Sequence, residues 1–172
     1  PSLTAIGANV TWYSDAALTN IVYTGNTFNT GQTAVGLYMY YVTETLNGCE
    51  GPSVSVSLEI LSIPASPIAT SEIACLGGVI PSLSASGNNL TWYSDPALTS
   101  IVNTGSNFNT GQTTVGVYTY YVTDTDMNGC ESLPSTTTLE ILSSPSSPVS
   151  SNETACLGGV IPSLSASGNN LT

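Results

Sequence analysis

The chain repeats itself. Trp12-Tyr13-Ser14-Asp15 returns 80 residues later as Trp92-Tyr93-Ser94-Asp95, while Cys49 returns 81 residues later as Cys130 and Cys75 as Cys156. One extra residue in the 124–128 stretch accounts for the change of step. Residues 74–91 and 155–172 are identical at all 18 positions, as a recent duplication would leave them. Self-similarity of this kind is read before anything else, because it calls for small units set in a row in place of one large core. The segment 62–142 holds one complete repeat with its linker. Residues 1–61 form a repeat lacking its first strand, and 143–172 are a linker and the start of a third. The linkers, Ser62-Ile63-Pro64-Ala65-Ser66-Pro67 and Ser143-Ser144-Pro145-Ser146-Ser147-Pro148, carry prolines three apart and read as extended, semi-rigid spacers.

Inside a repeat the hydrophobic period is two. Val54, Val56, Leu58 and Ile60 alternate with Ser53, Ser55, Ser57 and Glu59, and Leu139 and Ile141 alternate with Thr138 and Glu140. This is the pattern of half-buried strands. Gly, Asn and Pro interrupt the chain every 8–12 residues or so, the spacing of a sandwich of short antiparallel strands. Leu90 and Trp92 are expected to point inward, with Thr91 and Tyr93 outward. Asn47-Gly48 and Asn128-Gly129 are hairpin dipeptides that would join the last two strands of each repeat.

The stretch 115–123 narrows the fold. Tyr118 stands two residues before Tyr120 and two after Gly116, and Tyr38, Tyr40 and Gly36 repeat the arrangement. Immunoglobulin sandwiches place a tyrosine two residues before a core position of strand F and a buried tryptophan on strand C. Tyr120 and Tyr40 fit that core position, Trp92 and Trp12 fit the tryptophan, and Tyr118 and Tyr38 fit the corner tyrosine. The expected architecture is all-β: tandem immunoglobulin-like antiparallel β-sandwiches joined by Pro/Ser linkers. The expected core adds Leu83, Val122, Leu139 and Ile141.

Cys75, Leu83-Ser84-Ala85, Trp92-Tyr93, Thr104-Gly105-x-x-Phe108, Thr119-Tyr120-Tyr121-Val122 and Gly129-Cys130-Glu131-Ser132 carry a family resemblance. The chain resembles the Ig-like repeats of large Bacteroidota surface proteins secreted by the type IX pathway, the gliding-motility adhesins among them. The first repeat matches from Leu3 to Ile60. The resemblance implies an extracellular or cell-surface array and defines no ligand. In an Ig-like sandwich of this kind the expectation is a Cys75–Cys130 disulfide, with Cys49 and Cys156 pairing outside this segment. Such a bridge would stabilise the repeat by about 4 kcal/mol in the chain-entropy model. Four reduced, buried thiols are the alternative. Metal binding fails on spacing, with no Cys-x-x-Cys and no histidine.

Charge excludes whole classes of function. Eleven Asp and Glu stand against no Lys, Arg or His, for a net charge of -11. Without cations the chain is a poor partner for nucleic acid and is repelled by anionic membrane surfaces. Without histidine it cannot build a Ser-His-Asp or Cys-His device. Ser and Thr make up 49 of 172 residues and apolar residues 41%, which separates this chain from charge-rich disordered tails. No apolar run reaches the 18 residues of a membrane helix.

Several residues invite a functional reading beside a structural one. Asp124-Thr-Asp126-Met-Asn128-Gly129 imitates the start of an EF-hand loop, but Ser135 stands where the bidentate Glu belongs. A solvated hairpin turn is the stronger reading. Asp15 and Asp95 are expected to bond their own backbone in a turn. Tyr13, Tyr41, Tyr93 and Tyr121 would face outward on neighbouring strands, either as a glycan-contact face or as cross-strand pairs that stabilise the sheet. Asn9, Asn89, Asn152 and Asn170 begin Asn-x-Thr triplets, accidental matches under the bacterial origin that the resemblance implies. The acids are too scattered for a hydrolytic pair.

The function expected is a structural or adhesive repeat segment of a long extracellular filament, with no catalytic residues, no cofactor and no metal. Its partners would be neighbouring repeats of the same chain, with glycans or surfaces besides, no nucleic acid and no membrane insertion. A glycan- or protein-binding module and an accessory region of a secreted enzyme are the alternatives.

Overall fold

A computed structural model describes residues 1–169. Backbone proximity divides them into two compact units. The first runs from Pro1 to Pro64 and includes Thr125–Glu131; the second runs from Ala65 to Asp124 and continues from Ser132. Every regular element among the described residues is a strand.

The first unit contains β1 (Ser2–Thr4), β2 (Val10–Tyr13), β3 (Ile21–Thr24), β4 (Thr27–Asn29), β5 (Gly36–Leu46), β6 (Cys49–Glu50) and β7 (Val54–Ile60). β1 pairs with β4 alone, while β3, β2, β5 and β7 lie side by side and the short β6 folds back on the end of β5. The second unit begins with β8 (Ile68–Thr70) and β9 (Glu72–Cys75). It continues with β10 (Leu83–Ser86), β11 (Leu90–Tyr93), β12 (Ile101–Thr104), β13 (Asn107–Phe108), β14 (Gly116–Asp124) and β15 (Ser135–Leu142). One sheet has the order β13-β10-β8 and the other β12-β11-β14-β15-β9. Past the spacer, β16 (Val149–Ser150) and β17 (Ala166–Ser167) make a two-residue ladder.

Strand for strand, the registers repeat. Trp12 lies opposite Val42 as Trp92 lies opposite Val122, and both tryptophan strands carry an irregularity immediately after the tryptophan. Alternation puts Leu83, Trp92, Tyr120, Val122, Leu139 and Ile141 in one buried cluster with Phe108, while Val10, Trp12, Phe28 and Tyr40 form its counterpart. Burying such a side chain is worth about 1.5–3 kcal/mol. Each indole N–H donates to a glycine carbonyl at 2.8 Å, Trp12 to Gly25 and Trp92 to Gly105. Phe28 meets Tyr40 edge-on, and Phe108 meets Tyr120 likewise, the favoured geometry for aromatic quadrupoles. The buried phenols of Tyr40 and Tyr120 accept from the amides of Gln32 and Gln112.

Tyr38 and Tyr118 close the corner. Their hydroxyls donate 3.0 Å bonds to the carbonyls of Ala34 and Thr114, four residues upstream. They pack as half-buried flanks of the two clusters, not as central members.

The Cys75–Cys130 disulfide is overturned. The first edge strand changes sheets at Ser71. β8 pairs with β10, and β9 then runs parallel to β15, which sets Cys75 beside Leu142. Cys130 precedes β15, two residues before Ser132, whose N–H donates to Asp124. The two cysteines thus belong to opposite ends of β15. Its length is about 24 Å between terminal Cα atoms at the usual strand rise, against the 4–7 Å or so that a disulfide spans. All four cysteines are free thiols; Cys49, Cys75 and Cys156 are exposed and Cys130 is half-buried. They are therefore not the buried thiols of the alternative reading either.

Candidate functional site

The outer face of β2 and β5 is a connected polar-aromatic patch. Period-two alternation turns Tyr13 away from the Trp12 core, and register places it opposite Tyr41. The Tyr13 hydroxyl donates to Glu50 Oε1 at 2.6 Å, and the Thr43 hydroxyl donates to the same oxygen at 2.6 Å. The Asn47-Gly48 turn makes this possible. Asn47 and Gly48 take φ of 52° and 81°, the left-handed pair that a tight hairpin needs, and the turn swings Glu50 back over the sheet. The bond to Glu50 raises the Tyr13 phenol above its usual value, aided by desolvation. The bonds from Thr43 and then Tyr13 hold the Glu50 carboxyl below its usual value.

In the second unit Tyr93 lies opposite Tyr121 in the same register. Tyr13 and Tyr93 are only 6% and 7% exposed, whereas Tyr41 and Tyr121 are half-buried. The expected exposure of these outward-turned rings is corrected at Tyr13 and Tyr93. They lie on inner strands with a neighbour on each side. Stacking on a sugar needs an open ring face, which neither of these two residues offers.

The four aspartates serve the loops. Asp15 accepts from the N–H groups of Thr19 and Asn20 and from the Thr19 hydroxyl, and Asp95 accepts in the same way from Thr99 and Ser100. The Asn20 and Thr19 amides pull the Asp15 carboxyl below its usual value. At Asp95 desolvation pulls upward, and the amides of Ser100 and Thr99 outweigh it. Leu18 and Leu98 sit at φ of 56° and 57° inside these loops, a conformation uncommon for a branched residue. The sequence carried no signal for it.

Asp124 is buried and takes the N–H groups of Asn88 and Asn89, the latter at 2.7 Å. Asp126 Oδ1 accepts from the N–H groups of Asn128 and Cys130. The aspartates of the EF-hand-like stretch are thus occupied by backbone donors in a hairpin turn. Among the described residues no three His, Cys, Asp or Glu gather closely enough to hold a metal ion. Nor is any helix there long and apolar enough to cross a membrane. Of the Asn-x-Thr triplets, the one at Asn170 lies outside the described residues.

Hollows open on the first unit, two of them lined by several large apolar side chains. One, of about 660 Å³, is lined by residues including Val22, Phe28, Gln32, Tyr38 and Met39. The other, of about 410 Å³, lies against β1 and β7 and is lined by residues including Thr4, Ala5, Ile6, Val54 and Val56. Sequence reasoning missed both, since period two identifies a face and not the gap left at an edge.

Residues 64–141 match the family described as Ig-like domain, CHU_C associated. Over those residues the all-β fold is Ig-like. A search of curated proteins returned no match. Among solved structures, fibronectin(III)-like modules of Clostridium thermocellum CbhA are similar at 13% identity and a TM-score of 0.42, covering 81% of this chain and 80% of that one.

Proposed function

We propose that the chain is a structural and adhesive repeat segment of a long extracellular filament, of the kind carried by type IX-secreted Bacteroidota surface proteins and used in attachment or gliding. The observation that carries this reading is the recurrence of one register in both tryptophan strands, with the aromatic core and corner tyrosine repeated around it. A row of small sandwiches supplies length and mechanical resistance without a catalytic centre. The absence of Lys and Arg supports it further, since trypsin-like proteases outside the cell find nowhere to cut. Uniform negative charge discourages lateral clumping of neighbouring filaments.

The Pro/Ser spacers set the distance between repeats, and no reaction is assigned to the chain. Antibodies raised against residues 1–172 and applied to intact cells of the source organism test the reading. Decoration of the outer surface supports it; a signal confined to lysed cells overturns it. A glycan array run on the same chain tests the adhesive part, through specific retention on one sugar class.

A further inference from the structure

We propose that the Asn47-Gly48 hairpin modifies itself: the Asn47 side-chain nitrogen is lost as ammonia, an isoaspartate is left in the turn, and Glu50 is thereby freed from the sheet. No enzyme takes part, and the reaction is separate from any role in attachment.

Asn-Gly occurs in the sequence at 47–48 and at 128–129. A glycine after asparagine has no Cβ to crowd the attack of its nitrogen on the asparagine carboxamide, so these are the two positions where the reaction is open. All four residues are exposed, and both glycines stand clear of neighbouring atoms. Access does not separate the two sites. Hydrogen bonding does.

In the second unit the extra residue of the repeat brings Asp126 into the turn. The Gly129 N–H donates to the Asp126 carbonyl at 3.1 Å. Asp126 Oδ1 takes the N–H groups of Asn128 and Cys130 at 2.9 and 2.8 Å. The attacking nitrogen of Gly129 is thus tied, and a carboxylate beside it opposes the negative charge it has to gain. In the first unit Thr45 and Leu46 lead straight into Asn47, with no acid at that place. Leu46 pairs with Cys49, so Asn47 and Gly48 are the whole turn, at φ of 52° and 81°. Among the described residues the Gly48 N–H and the Asn47 carboxamide make no hydrogen bond.

The Gly48 nitrogen gives its proton to solvent and bonds to Asn47 Cγ. The Cγ–Nδ2 bond breaks, and the nitrogen takes up a proton and leaves as ammonia. A five-membered succinimide remains. Water then adds to its α-carbonyl, the more electrophilic of the two, and that carbon releases the Gly48 nitrogen. The backbone now runs through the former side chain and is one methylene longer. One water is consumed and one ammonia released, with nothing oxidised or reduced.

A two-residue hairpin joins its strands only when its own twist matches theirs. The added methylene breaks the register of Leu46 with Cys49 and of Thr45 with Glu50. Glu50 then loses the placement that brings its Oε1 within 2.6 Å of the Tyr13 and Thr43 hydroxyls. The polar-aromatic face of the first unit loosens as the molecule ages.

Incubation of the 172-residue chain in mildly alkaline buffer, followed by peptide mapping with electron-transfer fragmentation, tests this. The Asn47 peptide should gain the mass difference between NH2 and OH about fivefold faster than the Asn128 peptide, or more, since a hydrogen bond at Gly129 has to open first. In guanidinium chloride the two should react at equal rates. The isoaspartate form, separated by chromatography, should melt below the unmodified chain. Asn47→Asp keeps the length of the turn and should melt with it. Equal rates in the folded chain, a faster Asn128, a difference that survives denaturation, or an isoaspartate form that melts like the unmodified chain overturns the proposal.

Discussion

The Tyr13 hydroxyl and Glu50 Oε1 are 2.6 Å apart, and this bond joins the Thr43 bond and the β5–β6 pairing in fastening the hairpin to the sheet. Tyr13→Phe removes the donor and leaves the ring, so the melting temperature should fall while the fold persists. The pH window follows from the two shifts. Tyr13 is raised, so its contribution is whole below about pH 10 and fades as pH climbs through the raised value. Glu50 is lowered, so its share is whole above its ordinary value near 4.5 and fades below that. The gap between wild type and Tyr13→Phe, followed by thermal melts, should be widest in the neutral range and close at both extremes.

Asp15 anchors its loop through backbone amides. Its carboxyl is held below 3.8, so the stabilisation is present above that pH and is lost as pH drops through the lowered value. Asp15→Asn should lower the melting temperature at pH 7 and leave it nearly equal to wild type in strong acid. A difference that persists unchanged at pH 2 would show that the loop is held by something other than the charge.

Leu139 and Leu58 occupy the same place in their repeats, yet the first is fully buried and the second only half. Leu139→Ala should cost about 2–5 kcal/mol, in the usual range for a core truncation. Leu58→Ala should cost clearly less. Chemical denaturation of the two variants checks the ordering.

The free thiols make a further test. Cys75 and Cys130 belong to opposite ends of β15, so the native protein should present thiols to a colorimetric reagent without prior reduction. Cys75→Ser should leave the melting temperature unchanged. A Cys75–Cys130 linked peptide in a non-reducing digest would refute this placement.

How far the residues announce their own arrangement depends on what each signal encodes. Period two identified the core face, so Leu139, Ile141, Trp92 and Val122 could be named from the string. The Tyr118 corner was visible because its geometry is local, with donor and acceptor four residues apart. The crossing of the edge strand at Ser71 was not, since alternation does not say which sheet a residue faces. That crossing decides where Cys75 ends up. The burial of Tyr13 and Tyr93 escaped for a related reason: it depends on neighbours from other strands. Phe108 stood in the family pattern but lay outside any alternating run, and it was not named as core.

Asp15, Asp95, Asp124 and Asp126 all rest their charge on peptide N–H groups, since the chain has no cation to offer. Electrolyte therefore finds no ion pair to break in this molecule. It can only quiet the mutual repulsion of eleven acids. Added salt should therefore raise the melting temperature of this chain, because screening relieves the self-repulsion of an all-acidic charge set.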